Sequence, residues 1–148
     1  MLIPGYNTNI DLTISGLFKK PTDTTANRLM LSVHYYDPYD FTLNEQGTST
    51  WGSSEEIAYL KSQMQKISAF ASSLNMPVII GEYGAIDKDN FDYRFNYLST
   101  FNMEAANHGI VTAYWDNGFT GIYGFALFDR ETNSVTESGE TIISAIMG

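Results

Sequence analysis

Residues Pro77 to Ala85 read PVIIGEYGA, and this stretch decides the fold. Val78, Ile79 and Ile80 form a continuous apolar run, which is typical of a short parallel strand buried on both faces. Glu82 follows at the point where such a strand would leave its core. In barrels of alternating strands and helices, the carboxyl ends of the strands carry the chemistry. Glu82 is therefore a candidate functional residue, and a glutamate that only faces water is the alternative.

Three further apolar segments predict strands, and two of them also end in polar or aromatic groups. The predicted strands are Met1 to Tyr6, Leu29 to His34 and Ile110 to Trp115. His34 and Tyr36 end the second strand, and Trp115 with Asn117 ends the fourth. If the strands are neighbours, these groups share one cleft with Glu82. A phenol can steady a carboxylate nucleophile through a hydrogen bond, as in glycoside hydrolysis. An indole offers a flat face to a sugar ring, with core packing as the alternative for Trp115.

The segments between the strands have helical signals. Ser53 and Glu56 have the spacing of a capping box, and Asn75 is a candidate C-cap before Pro77. Between these caps, apolar residues recur at three- and four-residue intervals: Ile57, Leu60, Met64, Ile67, Phe70, Ala71 and Leu74. Similar patterns predict a helix from Asp87–Asn90 to His108–Gly109 and a short one from Ser138 to Met147. Residues Asn7 to Lys20 predict a loop with a short helix.

The loop from Tyr39 to Ser53 is long, polar and aromatic, and loops of this length are usually functional or disordered. Its aromatic residues, Phe41 and Trp51, favour function, so Trp51 joins Trp115 and Asn117 as a candidate substrate-binding residue.

Strands that alternate with helices four times predict a parallel sheet with right-handed crossovers, within a single domain over residues 1–148. A doubly wound sheet is the main alternative. It usually carries a Gly-rich phosphate loop after its first strand, whereas the first turn here reads Gly5-Tyr6-Asn7-Thr8-Asn9.

Composition and charge exclude several classes of function. The net charge of −9 argues against nucleic acid or an anionic membrane as a partner, but not against a neutral polysaccharide. No apolar stretch approaches the ~20 residues that span a bilayer. The chain has no cysteine and only two histidines, so we expect no disulfide, no metal site and no cofactor. Met1 runs into Leu-Ile-Pro-Gly without an export signal.

Three ordered motifs, LMLSVHYYDPYDF, VIIGEYGA and AYWDNG, resemble the last strands of glycoside hydrolase family 5. Its members are mostly endo-β-1,4-glucanases (cellulases), with relatives acting on xyloglucan, lichenan or mannan. The resemblance spans essentially the whole chain and implies four βα units, strands five to eight of a (β/α)8 barrel. It implies Glu82 as the retaining nucleophile and Trp115 as a residue that stacks on sugar. It also implies His34 and Tyr36 as the pair that binds sugar and positions the nucleophile. The segment GYNTNID resembles the fifth strand and its loop.

The resemblance also implies what to expect of activity. The family's general acid lies in an Asn-Glu pair on the fourth strand, which has no counterpart before Met1. The Asn44-Glu45 pair lies after the second strand of this chain and receives no role. Retaining hydrolysis needs two carboxyl groups, and proton donation is worth about 10²–10⁴-fold. We therefore expect weak or no glucanase activity from the chain alone. The alternatives are a non-catalytic β-glucan-binding half-barrel or one that serves folding and assembly.

Half a barrel would leave two open strand edges and an uncovered apolar face, which soluble monomers rarely tolerate. Two copies related by a two-fold axis could close an eight-stranded barrel. We therefore expect a homodimer or larger homo-oligomer. The family resemblance implies a secreted, extracellular protein.

Overall fold

A four-stranded parallel sheet forms the centre of the computed structural model, which describes all 148 residues. Its strands are β1 (Leu2–Pro4), β2 (Met30–Tyr35), β3 (Val78–Tyr83) and β4 (Val111–Tyr114). Each strand pairs in parallel with the next one along the chain. A doubly wound sheet reverses its strand order at a switch point, and this sheet does not. The predicted βα rhythm is confirmed and the doubly wound alternative is excluded.

Five α-helical segments connect or follow these strands: α1 (Ile10–Leu12), α2 (Tyr39–Thr42), α3 (Ser54–Ser73), α4 (Phe91–Asn107) and α5 (Gly139–Met147). A 3₁₀ turn at Tyr6–Thr8 and a π-helical turn at Thr13–Leu17 flank α1. A small antiparallel hairpin, β5 (Phe128–Asp129) with β6 (Ser134–Val135), lies between β4 and α5 and has no signal in the sequence pattern. No helix combines the length and apolar character needed to cross a bilayer.

The ends of the long helices follow local sequence chemistry. At the start of α3 the Ser53 hydroxyl accepts a hydrogen bond from the Glu56 amide, and the Glu56 carboxylate accepts one from the Ser53 amide at 2.9 Å. The predicted capping box is therefore confirmed. At the other end Leu74 is the C-cap, and Asn75 follows it with a φ of 50°. The predicted cap is thus displaced by one residue, because Asn75 takes the left-handed position just beyond it.

One face of the sheet is covered by α3 and α4. The core lies between the sheet and these helices. Leu31, Val33 and Ile80 point into this core and are fully buried. Phe101 of α4 stacks against Tyr83 with ring centroids 4.2 Å apart, and against Tyr35 at 5.4 Å. The strands are thus tied to the helix layer by aromatic as well as aliphatic packing.

The opposite face of the sheet is uncovered. Leu2 on β1 and Val111 on β4 are 54% and 53% exposed, although both are apolar strand residues. β1 and β4 are also the two edges of the sheet. A sheet with helices on one side only and open edges on both sides has the architecture of half a (β/α)8 barrel.

Candidate active site

An irregular register at the end of the sheet sets the direction of Glu82. The pairing of β2 with β3 shifts between Val33 and His34, so that His34 lies opposite Glu82. Ile80 and Tyr83 both face the helix-covered core at 0% exposure, with two residues between them instead of one. Strict alternation along the strand from Ile80 would instead turn Glu82 into the core. The irregularity therefore leaves Glu82 partly exposed at the carboxyl end of β3.

Glu82 is held by one residue near the end of β2, His34, and one just past it, Tyr36. The Tyr36 hydroxyl donates a hydrogen bond to Glu82 Oε2 at 3.3 Å, and His34 Nδ1 lies 3.4 Å from the same oxygen. The His34 and Glu82 side chains are 31% and 29% exposed, so both are accessible from solvent. Burial, followed by the charge of Glu82, raises the pKa of Tyr36 well above its usual range. The phenol therefore remains a proton donor to the carboxylate at every pH relevant to a hydrolase.

Residues that the sequence did not single out support this cluster. The Phe125 ring packs edge-on against Tyr36, with ring centroids 6.3 Å apart. A side chain at Gly84 would come within 2.9 Å of that Phe125 ring, so the glycine leaves the space that Phe125 occupies. On the other side, the Thr42 hydroxyl donates to the Tyr36 carbonyl oxygen. Phe125 and Thr42 lie in irregular or short segments without periodicity, and so gave no sequence signal.

Trp115 lies just past the end of β4, and the residue is 45% exposed. Its backbone amide donates to the Tyr83 carbonyl oxygen at 3.0 Å, which fixes the tryptophan beside the strand that carries Glu82. The Asn117 side-chain oxygen accepts hydrogen bonds from the amides of Phe119 and Phe125. Trp115 therefore offers a ring face to solvent at this rim, whereas the Asn117 oxygen is engaged in shaping the loop.

Trp51 does not join these residues. It is 3% exposed and packs against Tyr97, with ring centroids 5.1 Å apart, and against Phe41 at 6.5 Å. The indole therefore has no free face for a sugar ring. The structure therefore does not bring Trp51 to the candidate site, because the aromatic residues of the long loop fold back onto α4 and form core.

A cavity of about 410 Å³ opens beside His34 and Tyr36, towards α1. Asn7, Asp11 and Asp37 lie in its wall. Burial, and then the nearby charge of Asp11, raises the pKa of Asp37. No three His, Asp or Glu side chains of the chain converge on a point that could hold a metal ion. Glu82 is not among the residues that line this cavity, so the cavity is a polar recess, with the carboxylates of Asp11 and Asp37, beside the cluster around Glu82.

The family is decided by a match of residues 1–121 to the cellulase domain of glycosyl hydrolase family 5. The chain belongs to glycosyl hydrolase family 5. Family membership agrees with the position of Glu82 at the carboxyl end of a barrel strand, where this fold places its chemistry.

Individual relatives of this family 5 chain match it over nearly all its length. Endoglucanase A of Paenibacillus barcinonensis is 38% identical, over 99% of this chain and 42% of the relative. A xyloglucan-specific endo-β-1,4-glucanase of Bacteroides ovatus is 33% identical over 99% of this chain and 32% of its own length. A family 5 xyloglucanase from Paenibacillus pabuli, solved in complex with ligand, superposes with a TM-score of 0.89 at 37% identity, over 99% of this chain and 47% of that one. The chain thus spans less than half the length of these relatives and matches half of a family 5 barrel.

A broad-specificity endoglucanase from Ruminococcus champanellensis, solved with bound cellotriose, superposes with a TM-score of 0.88 at 32% identity. The match covers 99% of this family 5 chain and 42% of the Ruminococcus champanellensis chain. The fold is therefore that of a cellulase-type glycosidase.

Proposed function

We propose that residues 1–148 act as one domain that supplies the nucleophile side of a retaining β-1,4-glucanase cleft, with Glu82 as the nucleophile. The observation that carries this proposal is the contact of Tyr36 and His34 with the same Glu82 oxygen. A carboxylate that attacks an anomeric carbon must be ionised and correctly aimed. Tyr36 donates to the ionised form, and His34 restricts the direction of the carboxylate from the neighbouring strand.

Retaining hydrolysis also needs a second carboxyl group, about 5 Å from the nucleophile, that protonates the leaving oxygen. The groups within hydrogen-bonding range of Glu82 are a phenol and an imidazole, and neither is a carboxyl. We therefore propose that turnover requires a partner surface that brings the acid, and that the chain alone is weak or inactive. The same observation favours a second candidate function, a half-barrel that binds β-glucan without cleaving it.

The proposed substrate is a β-1,4-glucan or a related neutral polysaccharide. The named relatives act on such polymers, as their descriptions state for endoglucanase and xyloglucan-specific activity. Trp115 would stack on a glucose ring, and the Asn117 amide nitrogen could donate to a sugar hydroxyl. The net charge of −9 does not oppose a neutral ligand. Because such polymers are too large to enter a cell, we propose an extracellular place of action.

We expect Trp115→Ala to weaken cellotetraose binding by about tenfold at the Glu82 cleft, since it removes the exposed ring face. Isothermal titration calorimetry of the purified chain measures this. Phe128→Ala is the matched control, because Phe128 is 48% exposed but belongs to the hairpin β5–β6. Equal binding by the Trp115→Ala and Phe128→Ala variants would remove Trp115 from the proposed site.

We further propose that the uncovered sheet face is closed by a second copy of the chain. Two features of the sheet favour an interface there. Apolar residues on β1 and β4 are exposed to solvent, and the backbone groups of both edge strands are unpaired. A two-fold axis would place β4 of each copy beside β1 of the other and complete eight strands. We expect light scattering at micromolar concentration to give at least twice the chain mass of 16.6 kDa. A monodisperse monomer would contradict self-association.

A further inference from the structure

A second cavity, of about 500 Å³, lies at the same end of the sheet as Glu82 but outside the candidate active site. It is bordered by the loop after β3, the start of α4, the loop after β4 and the start of α5. We call it the rim pocket, and its main lining residues are Asp87, Phe91, Arg94, Phe119, Thr136 and Glu137. Glu82, His34, Tyr36 and Trp115 are absent from its lining, so it is a separate feature.

The two loops that form the rim pocket are joined to each other. The Asp87 amide donates to the Gly124 carbonyl oxygen at 3.0 Å, and the Tyr123 amide donates to the Asp87 carbonyl oxygen at 2.6 Å. These bonds hold the loop after β3 against the loop after β4. The shape of the pocket is therefore set by the fold before any ligand arrives, which lowers the entropy cost of binding.

The Asp87 carboxylate in the rim pocket is also fixed in direction. Arg94 is 2% exposed, and its guanidinium contacts Asp87 Oδ2 at 3.0 Å while donating to the Ala85 carbonyl oxygen at 3.2 Å. The other Asp87 oxygen accepts from the Asp89 amide at 2.9 Å. The Asp87 side chain still has 34% of its surface exposed. The Asp87 carboxylate is thus a hydrogen-bond acceptor that is fixed in direction by Arg94 and the Asp89 amide and remains partly accessible to a ligand.

The remaining lining combines ring faces with hydrogen-bonding groups. Phe91 and Phe119 are 38% and 55% exposed, although both are large apolar side chains. Exposed rings beside carboxylate acceptors suit a ligand that has apolar C–H faces and several hydroxyl groups.

The charge of the rim pocket narrows the ligand class. Asp87, Asp89 and Glu137 place three carboxylates against the single guanidinium of Arg94, which already pairs with Asp87. This balance repels anions such as phosphates or acidic sugars. A bound metal ion is also disfavoured, because no three acidic or imidazole groups of the chain converge. Among the neutral and cationic ligands that remain, the exposed rings of Phe91 and Phe119 favour a neutral, polyhydroxylated ring with apolar C–H faces.

We propose that the rim pocket is a second carbohydrate-binding site that takes a neutral glycosyl unit, independent of the cleft around Glu82. A polysaccharide chain or side branch held there would remain attached at the rim while another segment occupies the cleft. The inference goes beyond the proposed function, because it concerns residues that take no part in nucleophilic attack.

Calorimetric titration of the whole chain with cellotetraose tests this proposal. The expected isotherm has two classes of site. Phe119→Ala should remove one class or weaken it by at least about fivefold, whereas Phe119→Trp, which keeps a ring face, should retain it. Tyr93→Ala is the control, because Tyr93 is 43% exposed on α4 and lies outside the pocket lining. Circular dichroism of each variant verifies that the fold is unchanged.

A Trp115→Ala background separates the two sites. In that background the residual heat of binding should disappear on adding Phe119→Ala and persist on adding Tyr93→Ala. If Trp115→Ala alone removes all binding, or if Phe119→Ala titrates like Tyr93→Ala, the rim pocket is not a glucan site and the proposal fails. If Phe119→Ala loses binding while Trp115→Ala does not, the rim pocket stands and the assignment of Trp115 to the cleft fails.

Discussion

Glu82→Gln is expected to lower glucanase turnover by at least about 100-fold in a completed barrel. In the completed barrel, this chain would be joined to the part of the Paenibacillus barcinonensis relative that it does not match. The two proteins are 38% identical where they do match. Glutamine preserves the size of the side chain and can still accept the Tyr36 hydrogen bond, but its amide cannot form the glycosyl-enzyme ester. A positioned proton-transfer group is worth about 10²–10⁴-fold, and loss of the nucleophile should cost no less. Release of reducing sugar from soluble β-glucan measures the effect.

Glu45→Gln is the matched control for this experiment. Glu45 is an exposed glutamate in the loop after α2, and with Asn44 it forms the one Asn-Glu pair of the chain. We expect this variant to retain the activity of the unaltered hybrid. If the Glu82→Gln hybrid stays within a few-fold of the unaltered hybrid, Glu82 is not the nucleophile. If Glu45→Gln is the damaging change, the loop after α2 carries a role that its exposure does not indicate.

The second large effect concerns stability. Phe101→Ala is expected to lower the free energy of unfolding by about 3–5 kcal/mol, as is typical of truncating a buried phenylalanine. Phe101 is 0% exposed and stacks with both Tyr83 and Tyr35, so alanine would leave a cavity between α4 and two strands. Urea denaturation followed by circular dichroism gives the midpoint and slope from which this value is obtained.

Phe95→Ala provides the comparison on the same helix. Phe95 is 36% exposed, so its removal loses less buried surface and should cost at least about 2 kcal/mol less than Phe101→Ala. Equal losses from the two variants would show that the stack on Tyr83 does not dominate the core. A large change in the slope of the Phe101→Ala transition would instead indicate an altered unfolded or native state.

Local chemistry made several features of the fold predictable. The capping box of Ser53 and Glu56 depends on residues three apart, and the apolar run before Glu82 depends on neighbours in sequence. The hairpin β5–β6 was missed because each of its strands has only two residues, too few to establish a period.

The candidate site was predictable in composition but not in geometry. The sequence pattern predicts the strands at whose ends Glu82, His34 and Tyr36 lie. The structure brings these three side chains together. The register shift that aims Glu82 depends on pairing between strands that are far apart in sequence, so no local pattern encodes it. The burial of Trp51 was not predictable for a similar reason. Whether an aromatic loop residue faces solvent or core is decided by tertiary packing, here against Tyr97.

The order of the strands has a consequence for synthesis on the ribosome. Because β2, β3 and β4 each pair with the strand just before them, each new unit finds its partner already made. No strand has to insert between two strands that are already paired, and each of β2, β3 and β4 can pair as soon as it is synthesised. Chains grow at about 5–20 residues per second, so the interval from β2 to β3 leaves seconds for one unit to settle before the next emerges. These four strands can therefore assemble in the direction of translation, with β4 the last of the four to join.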